Sequence, residues 1–317
     1  MTMGFFAKAK TAAGLLAIRL QKEGISVASI KRPLSGLPTV EQLAFFVIEK
    51  NSELIALEKL AKDLHANRYQ CANLLSAGEY QILAVEAPNV PPDELKTAVR
   101  WRLKDMLDFH IDDATIDVLD VPADKNAPAR NHSMYAIAAR NQLINQRQSL
   151  FGDAKIPLSV IDIPEMAQRN IAALMEPEGR GIALLSFDAE GGLLTVTYSG
   201  ELYLARRIDV TANQLAQQDA EQSSAVFDRI TLELQRSLDH FDRQYHFVTV
   251  SKLMLFSPTA DSGLQAYLAS NLYLPVETLN LEMVLDTSKV SELKSPEAQQ
   301  RYFLTLGAAL RHEEKAL

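Results

Sequence analysis

The sequence predicts an α/β fold of two similar halves, the first carrying a small α+β insertion. Two stretches that repeat one plan, and a third with a grammar of its own, support this. Gly181 to Ile208 reads GIALLSFDAEGGLLTVTYSGELYLARRI. Ile182 to Phe187 is a short, almost continuous apolar run, as in a strand buried on both faces. Asp188-Ala189-Glu190-Gly191-Gly192 turns the chain, with two glycines free to adopt positive φ. Leu193 to Tyr198 is rich in β-branched and aromatic residues. Ser199-Gly200 is a two-residue hairpin signal, after which Leu202, Leu204 and Ile208 continue as a third strand. The N-terminal part follows the same plan. Gly14 to Leu20 is an apolar strand, Gln21-Lys22-Glu23-Gly24 a turn, Ile25 to Ile30 a second strand and Glu41 to Ile48 a third. Two such meanders imply a duplicated α/β domain with a cleft between the halves. From the meanders alone, coincidence stays open as the alternative.

The remaining elements follow in order. Glu53 to Leu64 places Leu54, Leu57, Leu60, Ala61 and Leu64 at helical spacing. Asn73 to Glu86 reads mainly as strand, broken at Ser76-Ala77-Gly78. Pro91-Pro92-Asp93 then starts a helix whose apolar face is Leu95, Val99, Leu103 and Met106, with Trp101 partly off that face. Thr115 to Val121 and Ser133 to Ala139 read as strands around a polar loop, Asp124 to Asn131, and Asn141 is placed to cap the next helix. This α+β unit is the insertion. Pro157 to Ile163 reads as a strand and Glu165 to Met175 as a helix. After the second meander comes a polar segment, Gln214 to Ser224, and then a long helix striped by Phe227, Ile230, Leu234, Leu238, Phe241 and Tyr245. Val248 to Phe256 is a strand, Leu264 to Leu272 a helix, Val276 to Leu279 a short strand and Asp286 to Pro296 a polar loop. Ser295 and Pro296 open a last helix, in which Gly307-Ala308-Ala309 permits close approach of another backbone. The halves are expected at residues 1–175 and 176–317, with the insertion at about 87–145.

Composition narrows the classes. At 317 residues the chain is long enough for two cores. With 47% hydrophobic and 23% charged residues it is an ordinary globular protein. A net charge of −8 argues against general nucleic-acid binding, although Arg206-Arg207 is a local basic pair. Cys71 is the single cysteine, which excludes an internal disulfide and a cysteine metal cluster and fits a reducing, cytoplasmic setting. Phe5, Phe6, Lys8 and Lys10 precede a short apolar stretch interrupted by Arg19, which reads as a leader into the first strand rather than a signal peptide. No run approaches the roughly 20 apolar residues that span a bilayer, so membrane work is expected to go through a partner. The six histidines are scattered, with no His-x-x-x-His pair, glycine-rich P-loop or Gly-x-Ser-x-Gly elbow. No metal site is expected.

An ordered series of segments resembles the actin-like (ribonuclease H-like) ATPase superfamily. The series is GLLAIRL, VPPDELKTAVRWRLKDML, SVIDIPEMAQRNIAAL, SFDAEGG with SGELYLARRI, LELQRSLDHF, LMLFSPTADSGLQAYLASNLYLPVETLN and FLTLGAALR. More closely, the chain resembles the PilM family of type IV pilus assembly proteins, in its MshI branch from mannose-sensitive haemagglutinin (MSHA) pili. The cytoplasmic part of the type II secretion protein GspL is also similar. The resemblance implies duplicated actin-like domains and a cytoplasmic protein that binds the N-terminal tail of an inner-membrane partner, PilN-like or MshJ-like. It also implies contact with an assembly ATPase.

The departures bear on ATP. Active members of this superfamily place an Asp-x-Gly turn after the first strand, to approach phosphate and metal. Arg19 and Gln21 stand there in this chain. The second phosphate loop is better kept, as Asp188 with Gly191 and Gly192. The adenosine turn, usually a glycine pair, is Ser257-Pro258, and proline fixes φ and lacks an N–H. Each residue has a plainer reading beside the functional one. Asp188-Gly191-Gly192 holds a phosphate-bound metal or is a polar hairpin turn. Arg19 substitutes a fixed charge for a metal or is an ordinary paired arginine. Asp162 lies near the cleft or is a strand-end carboxylate. Trp101 and Arg102 form a partner contact, or Trp101 is half-buried over its own subdomain. The expected function is a scaffold with a degenerate nucleotide site and no cofactor. The alternative is an actin-like protein of pilus assembly or secretion that binds or hydrolyses ATP with Mg²⁺.

Overall fold

The computed structural model describes residues 14–49, 52–91, 94–124, 133–216, 220–257 and 263–312. The N-terminal leader, the Pro92-Asp93 helix start, most of the 124–131 loop, part of the 214–224 segment and Pro258 lie outside the described residues.

The first meander is β1 (Leu15–Gln21), β2 (Gly24–Lys31) and β3 (Thr39–Val47). Helix α1 (Glu53–Asp63) then crosses to β4 (Gln70–Leu74), which lies parallel to β1. The insertion follows: β5 (Tyr80–Glu86), α2 (Leu95–Leu103), β6 (Ala114–Val121) and β7 (Ser133–Arg140). Helix α3 (Asn141–Asp153) returns to β8 (Leu158–Asp162), parallel to β4, and α4 (Pro164–Ala172) ends the half.

The second half repeats this order. It has β9 (Gly181–Asp188), β10 (Gly191–Tyr198) and β11 (Glu201–Ile208), then α5 (Ala212–Leu215) and α6 (Ala220–Gln244). β12 (Val250–Phe256) is parallel to β9, α7 (Leu264–Asn271) leads to β13 (Val276–Thr278), and α8 (Pro296–Ala309) closes it. The sheet orders β3-β2-β1-β4-β8 and β11-β10-β9-β12-β13 match strand for strand.

Alternation in β1 explains the layering. Leu16 and Ile18 face an outer layer built by Leu57 and Leu60 of α1 and Phe151 of α3. Ala17 faces the inner layer, a core shared by both sheets with Ile171 of α4 and Phe303, Leu306 and Leu310 around α8. The stripe Phe227, Ile230, Leu234, Leu238 and Phe241 of α6 covers the outer face of the second sheet. Between the sheets α4 and α8 cross at Gly307, where a Cβ would stand 2.2 Å from the Ala167 carbonyl oxygen. The small residues expected to allow a close approach do so here. Ser295 caps α8 by accepting from the Ala298 N–H, with Pro296 behind it.

Four local readings are corrected. The break expected at 76–78 is present and parts two strands of two sheets, so the insertion starts before 87. A 3₁₀ turn at Ala77–Glu79, closed by a Ser76–Glu79 capping box, sends the chain out of the first sheet. The small sheet, β5-β7-β6, therefore takes in residues before 87. Asn141 does not cap α3; its side chain accepts from Thr115 Oγ1 and donates to the Asp112 carbonyl. The polar segment 214–224 is helical at both of its described ends, in α5, begun before it by a Thr211–Gln214 capping box, and in α6 from Ala220. The 286–296 loop carries a 3₁₀ turn at Ser291–Lys294 and a bridge from Asp286 to Thr39 in the first half.

Candidate functional site

The cleft is read best from the end of β1. Arg19 pairs with Ser26 across β1 and β2, and Ser26 shares a 2.7 Å hydrogen bond with Thr305 of α8. Arg19 therefore faces the inner layer, where it is 5% exposed. Its Nη2 donates to Asp188 Oδ2 at 2.9 Å and lies 3.8 Å from Glu190 Oε2. The second acidic turn thus meets the first strand end directly. Asp188 Oδ1 accepts the Glu190 N–H at 2.8 Å, folding the turn on itself. Glu190 Oε2 accepts the Ala77 N–H at 2.9 Å, so the same turn also grips the entry to the insertion.

The two glycines have different reasons to be there. Gly191 has φ +137°, in the region that favours glycine, and a Cβ there would stand 3.0 Å from the Ile208 carbonyl oxygen. Gly192 lacks room, because a Cβ would stand 2.7 Å from the Phe187 ring. Gln21 ends β1, and its Oε1 is buried with no hydrogen-bond partner among the described residues, as is Arg19 Nε. Gln300 of α8 donates to the Phe187 carbonyl just before Asp188.

Asp162 ends β8, 3% exposed, and is held elsewhere. Arg311 donates to its Oδ2 at 3.0 Å and the Ile163 N–H to its Oδ1 at 2.9 Å. Burial pushes its carboxyl pKa up, against the pull of Arg311. Ser257 follows β12, and the rest of the expected adenosine turn lies outside the described residues.

Trp101 is 72% exposed on α2, so it is not the half-buried cover of its own subdomain. Val99 and Leu103 of α2 pack on Met134 and Ala136 of β7, while Tyr135 of β7 turns to the other side. Trp101 therefore stands on the helix covering the sheet face turned away from the second half. Arg102 donates to the Glu86 carbonyl at 2.7 Å.

Sequence reasoning missed a buried junction beside the cleft. Glu165 of α4 is 1% exposed and accepts from Tyr80 of β5 and from Arg207 of β11 at 2.9 Å. Arg207 also donates to the Tyr80 hydroxyl at 2.9 Å. Burial opposes the Arg207 charge, but Glu165 and Tyr80 outweigh it and raise its pKa; burial and Glu165 raise that of the Tyr80 phenol. Arg206-Arg207 reads as a basic patch in sequence because its carboxylate partner is remote along the chain. Nearby, Tyr135 Oη donates to the Tyr203 carbonyl at 3.1 Å and accepts the Ala205 N–H at 3.2 Å, sealing the outer edge of β11.

Two sheets of one strand order, helices between and outside them, and an acidic glycine turn facing the end of β1 define the duplicated actin-like α/β fold. The chain is similar to a PilM–PilN type IV pilus biogenesis complex, with TM-score 0.72 and 19% identity over 95% of this chain and 98% of that one. A Bacteroides thetaiotaomicron protein with an actin-like ATPase fold aligns with TM-score 0.49 and 12% identity, over 93% of this chain and 100% of that one. The cytoplasmic domain of EpsL, an inner-membrane component of the Vibrio cholerae type II secretion system, aligns with TM-score 0.43 and 15% identity, over 64% and 75%. No protein-family model matches the sequence, and no curated protein matches it.

Proposed function

We propose that this chain is a cytoplasmic scaffold of type IV pilus assembly that binds the N-terminal tail of an inner-membrane protein and does not turn over ATP. The observation that carries the pilus reading is the near end-to-end likeness to the PilM–PilN complex. Among the described residues no helix is long and apolar enough to cross a membrane, which suits a protein reached through a bitopic partner. The finer assignments are an MSHA-type pilus, the MshI branch, an MshJ-like partner and contact with an assembly ATPase. In this reading residues 1–175 and 176–317 are the two actin-like domains. The insertion then supplies a partner surface, with Trp101 and Arg102 as contacts. A tail that orders on binding gives modest affinity for the area it buries.

The test is a calorimetric titration of the purified chain with the partner's N-terminal peptide, repeated on Trp101→Ala. Binding is expected in the micromolar range, about −8 kcal/mol, and weaker in the variant. No binding by the intact chain sinks the scaffold reading; equal binding by the variant sinks only the Trp101 contact. The second reading, an ATP-binding protein, is favoured by the positive φ kept at Gly191 of the second phosphate loop. ATP hydrolysis with Mg²⁺ that disappears in Asp188→Ala would establish it.

A further inference from the structure

We infer that Arg19 is a resident cation that fastens the cleft in place of a metal-bound nucleotide, holding both sheets and the insertion together at one acidic turn. The inference rests on the cleft geometry alone and stands or falls separately from the pilus reading. The donor set at this place does not suit Mg²⁺ with a nucleotide. Asp188 has both oxygens engaged, Oδ2 by Arg19 and Oδ1 by the Glu190 N–H. Glu190 gives Oε2 to the Ala77 N–H and lies within 3.8 Å of the guanidinium. A divalent cation here would face a buried positive charge, and an arginine cannot escape by losing its proton. A bare triphosphate would face two carboxylates. The guanidinium thus neutralises one of the turn's two carboxylates, and the turn joins three parts: Arg19 belongs to the first sheet, Asp188 and Glu190 to the second, and Ala77 to the turn that begins the insertion. In this chain that junction is made by a guanidinium, two carboxylates and two backbone N–H groups.

The pair is also the kind whose loss is felt. Arg19 is buried, so removing Asp188 leaves its charge facing only Glu190 at 3.8 Å, whereas removing both signs together leaves no buried charge short of a partner. Charge reversal thus separates the fastening from mere packing. Two backbone amides report on it: Ala77 N–H, held by Glu190, and Glu190 N–H, held by Asp188.

The experiment is hydrogen–deuterium exchange of the full chain, comparing wild type, Arg19→Gln, Asp188→Asn and the reversal Arg19→Asp with Asp188→Arg. Each is measured with and without millimolar Mg²⁺–ATP. Exchange around 76–79 and 188–192 is expected to quicken about tenfold or more in the two single variants. It is expected to return toward wild type in the reversal, while Mg²⁺–ATP leaves wild type unchanged. A further single variant, Arg19→Asp, brings a third carboxylate to Asp188 and Glu190. It should regain protection when Mg²⁺ is added, as wild type does not. If Arg19→Gln does not fold, Arg19→Lys replaces it, keeping the charge but losing the planar fork, with intermediate exchange expected. Unchanged exchange in the Arg19 variants overturns the inference. So does a reversal no better protected than the single variants, or wild-type protection that rises with Mg²⁺–ATP.

Discussion

A methyl group on Gly307 has nowhere to go, since it would stand 2.2 Å from the Ala167 carbonyl oxygen and 2.7 Å from that carbonyl carbon. Both atoms are backbone of α4 and cannot swing aside, so the helices must separate. Gly307→Ala is expected to cost about 3 kcal/mol, at the upper end of overpacking changes. Gly152 of α3 has nothing within 4 Å of a built Cβ, and Gly152→Ala should stabilise by about 0.5 kcal/mol through the unfolded chain. Urea unfolding of the two variants side by side checks the contrast. Gly191 carries strain of another kind: at φ +137° a valine is opposed by the backbone itself, and Gly191→Val should cost about 1 kcal/mol or more. A midpoint equal to wild type would show that the turn relaxes at no cost. Asp286 gives a pH signature. The Ser288 N–H donates to its Oδ1 at 3.0 Å and Thr39 Oγ1 to its Oδ2 at 3.2 Å, and these bonds, Ser288 first, hold its pKa below the ordinary 3.8. A depressed folded pKa means stability present above about 3.8 and lost as pH falls through the folded value. Wild type and Asp286→Asn should therefore converge in urea midpoint as pH is lowered from about 6 through the folded value, which lies below 3.8.

Elements were legible where one physical rule decides them locally. Ser199-Gly200 shows both φ values positive, 53° and 75°, the pattern of a two-residue hairpin turn. The α6 stripe is buried as its period requires, and Ser295-Pro296 starts α8. What escaped were pairings decided by distant partners. The strands 70–74 and 80–86 look alike in sequence because each is a short, mostly apolar run. Only the capped 3₁₀ turn between them shows that they leave for different sheets. Asn141 satisfies a good cap preference, yet Thr115 and the Asp112 carbonyl claim its side chain first. At the cleft, the sequence gives the residue types at the two loops but not that they touch. Arg19 and Asp188 stand 169 positions apart, and nothing in spacing could pair them. Glu165 and Arg207 are hidden for the same reason, 42 positions apart on a helix and a strand of different halves.

On the scale of the molecule, the insertion is a bridge between halves rather than an appendage of the first. Its sheet turns Tyr135 toward β11, which is the edge strand of the second sheet. An edge strand leaves backbone groups unpaired, and one hydroxyl serves two of them, the Tyr203 carbonyl and the Ala205 N–H. The Tyr80–Glu165–Arg207 junction lies beside this contact and ties β5, α4 and β11 together. Removing the Tyr135 hydroxyl keeps the ring packed but strands both backbone groups, a loss of about 2 kcal/mol if water cannot reach them. Tyr80→Phe leaves Arg207 paired with Glu165 Oε1 but strands Glu165 Oε2, a buried carboxylate oxygen that accepts from the Tyr80 hydroxyl. Tyr135→Phe and Tyr80→Phe are therefore both expected to lower the unfolding free energy. Tyr135→Phe should also quicken exchange of the Ala205 amide while leaving amides of β1 and β4 as they were. If the Ala205 amide exchanges at its wild-type rate in Tyr135→Phe, the hydroxyl does not seal that edge. The insertion would then be held to the second half through the Glu165 junction instead.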